Sequence, residues 1–289
     1  MTAMKSDLLV RKARPEDNDR LATICFEAFG GINATHNFPP DFSNLEIVQG
    51  FMGFIISAPF VESFVAEQDG KVVGSSFLWP GAEISGVGPV TVDPLKQGSV
   101  GRTLMEATIA KSDELGQKGV RLVQAAFNRT SMALYAKLGF DVKEPLVCLN
   151  GPSIGKSIPG YSVRKPTPED IPGAEAVCRR VHGHDRTGEF AMSIENGTGR
   201  VVESEGKIVG YTTDTAFFGH SVADSNEAMS ALLGAAEAFS GPGILVPSRN
   251  GELFRWCLAH GLKIVQPMTL MAKGWYQEPR GAFLPSILF

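Results

Sequence analysis

Hydrophobic residues in the first half of the chain follow two periods, one typical of strands and one typical of helices. Runs rich in β-branched and aromatic residues predict strands over 8–13, 63–67, 71–78, 84–92, 121–127 and 140–149. Segments with helical spacing predict helices over 16–29, 45–57, 100–115 and 131–138. Asp69-Gly70, between two β-rich runs, indicates a hairpin turn. The pattern therefore predicts an α/β fold.

The chain also contains an internal repeat. Residues 10–17 read VRKARPED and residues 163–170 read VRKPTPED, so six of eight positions are identical at an offset of 153. Further matches follow at smaller offsets. EQDGKVVG pairs with ESEGKIVG at an offset of 136, and Ser99-Val100-Gly101, Asn128 and Gly139 pair with Ser221-Val222-Ala223, Asn250 and Gly261 at 122. The falling offset means that a second, shortened copy follows the first.

The repeat predicts two domains with a linker between them. Residues 151–160, GPSIGKSIPG, are rich in Gly, Pro and Ser, lack hydrophobic periodicity and precede the second VRK motif. We therefore expect one domain over 1–150, a linker over 151–160 and a second domain over 161–289.

Composition narrows the class of protein. The 289 residues are 43% hydrophobic and 20% charged, with a formal net charge of −4, which is typical of a globular protein and disfavours nucleic acid as a partner. The four cysteines form no CxxC pair, the N-terminus lacks the apolar core of a signal peptide, and the longest apolar stretch, 51–56, is too short to span a bilayer. We expect a cytoplasmic protein without membrane contact.

The segment most informative about chemistry is GPVTVDPLKQGSVGRTLM, residues 88–105. A β-rich run passes through a turn into an amphipathic helix, and such a helix N-terminus can hold a phosphate through main-chain N–H groups. Gly98 and Gly101 would allow close approach of the phosphates and Arg102 would add a charged contact. Alternatively, the two glycines only turn the chain. The loop matches neither GxGxxG nor GxxxxGK[ST].

A second motif follows and carries a family resemblance. After the run RLVQAAF come Asn128, Ser131, Leu134-Tyr135 and Leu138-Gly139-Phe140. Together with the loop, these residues resemble the Gcn5-related N-acetyltransferase (GNAT) superfamily, whose patterns are VxPxxQGxGxG and NxxAxxLYxxxGF. The resemblance covers 8–149 with both motifs and 161–274 in weakened form. The loop is one residue shorter than the family pattern, and Ser99 stands where a glycine is usual.

The resemblance implies a fold and a cosubstrate. It implies two tandem GNAT-like domains, each a mixed, mostly antiparallel and splayed sheet flanked by helices, with the second copy degenerate. Acetyl-CoA would bind the first copy and no metal would be needed. The cofactor-binding residues implied are Val90, Thr91, Val92, Gln97, Gly98, Ser99, Val100, Gly101, Arg102, Thr103, Asn128, Ser131 and Tyr135.

Tyr135 is the predicted general acid, because the reaction expels a CoA thiolate that a phenol can protonate. The alternative is a tyrosine that only packs beside Leu134, Leu138 and Phe140. For the general base, the candidates are the Glu83 carboxylate and the C-terminal carboxylate of Phe289.

The second copy departs from the motifs. Cys257 stands in place of the tyrosine, Asp224 in place of Arg102 and Ala223 in place of Gly101. Since an aspartate would repel a pyrophosphate, we predict that the second copy binds no acyl-CoA and packs against the first.

The function predicted is therefore an acetyl-CoA-dependent N-acyltransferase that works by direct attack of an amine on the thioester. The alternative is a non-catalytic acyl-CoA-binding or interaction protein. His182-Gly183-His184-Asp185 lacks zinc spacing, so no metal is expected. The acceptor would be a small-molecule or peptide amine, selected within residues 30–60, which include the His36 loop, and the protein would be a monomer or homodimer.

Overall fold

The computed structural model of the protein describes residues 8–96 and 98–288. The strands are β1 (Leu8–Lys12), β2 (Glu62–Gln68), β3 (Lys71–Pro80), β4 (Ile84–Val92), β5 (Gly119–Ala125), β6 (Asp141–Asn150), β7 (Ser162–Arg164), β8 (Arg200–Ser204), β9 (Lys207–Thr212), β10 (Ser221–Ala223), β11 (Ile244–Pro247), β12 (Lys263–Gly274) and β13 (Ala282–Leu284). The helices are α1 (Asn18–Thr35), α2 (Leu45–Ser57), α3 (Val100–Glu114), α4 (Arg129–Lys137), α5 (Ile171–His182), α6 (Thr187–Glu195), α7 (Asn226–Gly234) and α8 (Gly251–Ala259).

The strands form two sheets that do not follow the two copies. The larger sheet has the order β1-β2-β3-β4-β5-β12-β6-β11, and the smaller has the order β13-β10-β9-β8-β7. Strand β12, from the second copy, pairs antiparallel with both β5 and β6 of the first copy. Strand β11, also from the second copy, extends the same sheet beyond β6. Each copy therefore places its sixth strand beside the fifth strand of the other copy.

The repeated VRK and PED motifs have one structural explanation in both copies. In each, the arginine of the first strand pairs with the aspartate of the PED turn at 2.7 Å and with a glutamate of the second strand. The two trios are Arg11, Asp17 and Glu67, and Arg164, Asp170 and Glu203. The arginine holds the pKa of each aspartate below its usual value. These identical positions thus join a strand, a turn and a neighbouring strand.

The predicted hairpin turn is confirmed and recurs in the second copy. Asp69 and Gly70 have φ angles of 51° and 71°, and Glu205 and Gly206 have 52° and 73°. Two consecutive residues with positive φ match the right-handed twist of a two-stranded hairpin. The turns join β2 to β3 and β8 to β9.

Two predictions of helix boundaries are corrected. Helix α1 continues through Gly30 to Thr35, whereas its counterpart α5 ends at Gly183 in the left-handed region, with φ 75°. Residues 221–223, matched in sequence to the start of α3, form strand β10, which pairs with β9 and β13. The corresponding helix, α7, starts at Asn226. Sequence identity at two of three residues could not distinguish a strand from a helix start there.

The hydrophobic core connects the two copies. Met271 of β12 is buried with Leu78, Met105 and Tyr135 of the first copy. Along the chain as described, the helices are too short or too polar to cross a bilayer.

Candidate active site

The site lies where β4 and β5 separate. The two strands pair in parallel register only at Ile84, Ser85 and Gly86. Beyond Gly86 a cavity of about 120 Å³ opens between them, bounded by residues 87–90 of β4 and 122–125 of β5. On its other side β4 stays paired with β3 as far as Val92. The edge of β4 that faces the cavity is therefore free of ladder pairing within the described chain.

Helix α4 brings its predicted side chains to this cavity. Asn128 is the N-cap of α4 and accepts a hydrogen bond from the Ser131 backbone N–H at 3.1 Å. The Ser131 hydroxyl donates to Gln124 Oε1 at 2.9 Å. Both residues line the cavity, together with Val90 and Tyr135. The cap thus fixes the first turn of α4 against the end of β5.

Tyr135 both packs and faces the cavity. Its ring lies 6.1 Å from that of Phe140, and the side chain is 7% exposed. Burial raises the pKa of its phenol to about 12, so the hydroxyl stays protonated at neutral pH. Within the described chain, the hydroxyl makes no hydrogen bond to protein. A phenol so placed has its proton available to a bound molecule.

The predicted phosphate loop leads from β4 into α3. The Asp93 carboxylate accepts a hydrogen bond from the Leu95 backbone N–H at 2.9 Å and pairs with Arg20. The first helical hydrogen bond runs from Thr103 N–H to the Ser99 carbonyl at 2.9 Å. The N–H groups of residues 100–102 precede it and have no acceptor within the helix.

The residues of this loop differ in their exposure and in their contacts. Arg102 is partly exposed and pairs with Glu106 at 3.2 Å, while Gly98 has a φ of 125° with open space around it. Gly101 faces Leu134 of α4, and a Cβ at this position would lie 3.4 Å from Leu134, in ordinary van der Waals contact. Gln97 lies outside the described residues.

Three further predicted residues contribute no side chain to the cavity. Thr91 is buried and its hydroxyl lies 3.2 Å from the Ser75 hydroxyl on β3. Val92 packs into the small cluster of apolar residues between β3 and α3. The Thr103 hydroxyl donates to the Ser99 carbonyl.

Glu83, one of the two candidate bases, lies outside the cavity wall. Its carboxylate pairs with Lys118 at 2.6 Å and Arg179 at 3.3 Å, and accepts a hydrogen bond from the Asp185 N–H. These partners, Lys118 first, lower the pKa of Glu83 and make it a weaker base. These contacts therefore argue against Glu83 as the general base. They show that Glu83 connects the first copy to Arg179 and Asp185 of the second.

Phe289, the other candidate, lies outside the described residues. The two residues before it do line the cavity. Leu288 approaches Gly88 of β4, and the Ile287 N–H donates to the Phe217 carbonyl at 2.8 Å.

The histidine-rich segment of the second copy lies elsewhere. His182 and His184 are buried, and His184 Nε2 lies 3.1 Å from a guanidinium nitrogen of Arg121. In residues 8–96 and 98–288, no group of three or more His, Cys, Asp or Glu side chains is placed to bind a metal.

Several residues of the cavity were not predicted. They are Phe29, Ile32, Asp41, Phe42 and Phe51 from the first copy, and Phe217, Phe218, Pro242 and Met268 from the second. The sequence indicated only that residues 30–60 would select the acceptor. Nothing in the spacing showed that the loop at 217–218 reaches the site, because that contact depends on how the two copies pack.

Solved structures with this arrangement define the class of fold. A candidate acetyltransferase from Pyrococcus horikoshii aligns over 100% of this chain and 94% of its own, with a TM-score of 0.69 and 16% identity. A GCN5-related N-acetyltransferase from Sphaerobacter thermophilus aligns over 94% and 96%, with a TM-score of 0.58 and 14% identity. One from Kribbella flavida aligns over 94% and 72%, with a TM-score of 0.55 and 15% identity. The whole chain has the two-domain GNAT-like fold.

The family comparison concerns the first copy. Residues 59–142 match the family model described as an acetyltransferase (GNAT) domain. That segment runs from the start of β2 through α4 and contains both sequence motifs. The match is to the superfamily that the resemblance predicted. A search of curated proteins by sequence finds no match.

Proposed function

We propose that this protein is an acetyl-CoA-dependent N-acyltransferase whose active site lies in the first copy. The observation that carries the proposal is the cavity between β4 and β5, which unites the unpaired edge of β4 with the Tyr135 hydroxyl. One supplies N–H donors for a developing oxyanion, and the other supplies a proton. A family match over 59–142 supports the same reaction class.

The donor would extend from the N-terminus of α3 to the cavity. Its pyrophosphate would accept hydrogen bonds from the N–H groups of residues 98–102, with Arg102 as a charged partner. Its pantetheine arm would follow Asn128 and Ser131, and its thioester would lie beside β4 at Val90. No metal is required for this chemistry.

The reaction would proceed in one transfer. The acceptor nitrogen attacks the thioester carbonyl carbon, and the carbonyl oxygen becomes an oxyanion beside the N–H groups of β4. When the intermediate collapses, the C–S bond breaks and Tyr135 donates its proton to the departing sulfur. The raised pKa of the phenol keeps that proton in place until the thiolate forms. The nitrogen loses its own proton to a base, and the products are an amide and CoA.

We further propose that the second copy binds no donor. Its shortened turn, Asp224-Ser225, leads directly from β10 into α7. The Ser225 hydroxyl accepts a hydrogen bond from the Ala228 N–H at 3.2 Å, which satisfies one N–H that a phosphate would need. Glu227 adds negative charge to the first turn, and Asp224 pairs with Arg180 at 2.7 Å. These features oppose anion binding.

Two measurements test the proposal. A thiol-release assay with acetyl-CoA over a panel of primary amines should give release that depends on the amine. Calorimetric titration with CoA should give one site per chain, and Arg102→Glu should lower the affinity by about tenfold or more because it places a negative charge beside the pyrophosphate. Asp224→Asn, the matched change in the second copy, should leave the affinity unchanged.

The outcomes separate the alternatives. Tight CoA binding without thiol release for any amine would support a non-catalytic acyl-CoA-binding protein. Two sites per chain would contradict the proposal for the second copy. No CoA binding would contradict both.

A further inference from the structure

An arc of phenylalanine rings encloses one side of the cavity. Ring centroids are 6.4 Å apart from Phe29 to Phe42, 6.2 Å from Phe42 to Phe51 and 5.2 Å from Phe51 to Phe218. The first three come from α1, the loop after it and α2, and the fourth comes from the second copy. Such a wall offers apolar surface and the negative faces of aromatic rings to a ligand.

One carboxylate interrupts this apolar wall. Asp41 is next to Phe42 and is the one acidic side chain among the described residues that line the cavity, with no Lys, Arg or His beside it there. Its Oδ1 accepts a hydrogen bond from Gln266 Nε2 at 3.0 Å, and Gln266 is 1% exposed. The described residues form no ion pair with Asp41. A partly buried carboxylate without a cationic partner costs folding free energy, so a bound cation would relieve it.

Gln266 belongs to β12, the strand that the second copy inserts between β5 and β6. Gln266 is paired with Cys148 of β6, and the pairing of β12 with β5 begins two residues later, at Met268. The amide that bonds Asp41 therefore stands on a strand anchored in the sheet. Tyr135 and the edge of β4, which line the same cavity, belong to the first copy. The cavity is therefore lined by a proton donor, Tyr135, and a proton acceptor, Asp41.

We propose that the acceptor is a small primary amine with an aromatic or branched alkyl body, whose ammonium group binds Asp41 while its body packs on the phenylalanine arc. This inference rests on the proposed function and names its substrate class. The cavity of about 120 Å³, which the acceptor would share with the thioester end of the donor, restricts the acceptor to a small molecule. Polyamines and sugars with several amino groups are disfavoured, since further charges would meet apolar walls.

Besides binding the ammonium group, Asp41 would accept a proton from it before the acyl transfer. The bound ammonium gives one proton to the Asp41 carboxylate and becomes the free amine that attacks the thioester. After the C–N bond forms, the remaining excess proton on nitrogen leaves to solvent, while Tyr135 protonates the CoA sulfur. Burial raises the pKa of Asp41, and Gln266 and Asn33 oppose that shift through hydrogen bonds. A raised pKa makes the carboxylate a better base than an exposed aspartate.

The surroundings of Asp41 contain two other titratable groups. These are the thiols of Cys25 in α1 and Cys148 in β6. Burial raises the pKa of both thiols, that of Cys148 to about 12, and the negative charge of Asp41 raises them further. Both thiols are therefore neutral across the useful pH range. Because the ammonium group of the amine stays protonated well above neutral pH, a loss of amine binding on acidification would report Asp41.

The test measures binding without acetyl-CoA, so that it does not depend on turnover. Calorimetry should show that 2-phenylethylamine binds the full-length protein, that 2-phenylethanol binds at least about tenfold more weakly, and that Asp41→Asn removes this difference. Binding of the amine should weaken as pH falls through the raised pKa of Asp41. Asp214→Asn serves as the matched control, because Asp214 is another carboxylate with a pKa raised by burial but lies outside this cavity.

Equal affinities of the amine and the alcohol for the unmodified protein would overturn the proposal, and this comparison needs no variant. So would an amine affinity that Asp41→Asn leaves unchanged. If the amine binds as expected but no thiol is released from acetyl-CoA, the proposed function fails while the amine site stands.

The stability of Asp41→Asn separates a binding role from a structural one. A carboxyl group whose pKa is raised in the folded state stabilises the fold when protonated and destabilises it above that pKa. The asparagine side chain keeps an oxygen for Gln266 without the charge, so the variant should unfold at the same or a higher temperature at pH 7. A marked loss of stability would show that Asp41 holds the fold together.

Discussion

The two copies in this chain share the same ion pairs, hairpin turns and helix caps. They differ at the positions that would bind an acetyl-CoA donor. Both retain the arginine–aspartate–glutamate trio and the hairpin with two positive φ angles. Both also begin the helix after their fifth strand with an asparagine cap, Asn128 in one and Asn250 in the other. At the next matching position the first copy has Tyr135 facing a cavity, and the second has Cys257 fully buried in the core.

The second copy thus retains the contacts that maintain a fold, and in place of Arg102 it carries Asp224, which pairs with Arg180. It also supplies parts that the first copy lacks. Strand β12 fills the gap between β5 and β6, its Gln266 orients Asp41, and Phe218 completes the aromatic arc. The second copy thus contributes to the cavity of the first copy.

The largest expected effect comes from separating the copies. Residues 1–160 expressed alone should show no cooperative unfolding transition, because β5 and β6 lose the strand between them and the core loses Met271. Circular dichroism during heating would measure this. The control is the full chain with a protease site placed in residues 151–160 and cut after folding, which should stay assembled. A fragment that folds and binds CoA would show that the exchange of strands is dispensable.

The next effect concerns the acid step. Tyr135→Phe should lower kcat at least about tenfold while the Kd for CoA changes little, because the ring still packs and only the proton donor is lost. Steady-state kinetics and calorimetry would measure the two quantities. Tyr161→Phe, in the second copy and away from the cavity, is the control. Unchanged turnover would remove Tyr135 from the mechanism.

The smallest effect compares the two helix caps. Asn128→Ala and Asn250→Ala should each reduce the free energy of unfolding by about 1 kcal/mol, the usual cost of losing a side-chain cap. Only Asn128→Ala should also lower kcat/KM, since only Asn128 lines the cavity. Urea denaturation and kinetics on both variants would measure this. An equal loss of kcat/KM in both variants would show that the helix capped by Asn250 also contributes to catalysis.

Much of the first copy could be predicted from local pattern. Helix α2 and strand β4 have the predicted bounds, and the other elements agree within a few residues except α1. Hydrophobic periodicity and turn chemistry are local properties, so they survive without knowledge of the partner segments. Helix α1 runs past Gly30 because a glycine inside a helix costs only about 1 kcal/mol, which packing of the helix can offset.

The candidate site was also predictable from the sequence only in part. Val90, Asn128, Ser131 and Tyr135 were predicted from the motifs, and they do line one cavity. Asp41 gave no signal, because a single aspartate in a loop is indistinguishable from a solvated one until its surroundings are known. From the sequence, Glu83 was a candidate general base. In the structure its carboxylate forms ion pairs with Lys118 and Arg179.

The sequence by itself determined that the chain has an α/β pattern with an internal repeat, that its first copy carries motifs resembling those of GNAT proteins and that its second copy has Asp224 in place of Arg102. Those features depend on residue identity and short spacing. Only the tertiary structure decided that β12 lies between β5 and β6, and that Gln266 and Phe218 reach a cavity built largely by the first copy. Strand order is set by hydrogen bonding and core packing between residues more than a hundred positions apart, and no local pattern encodes that choice.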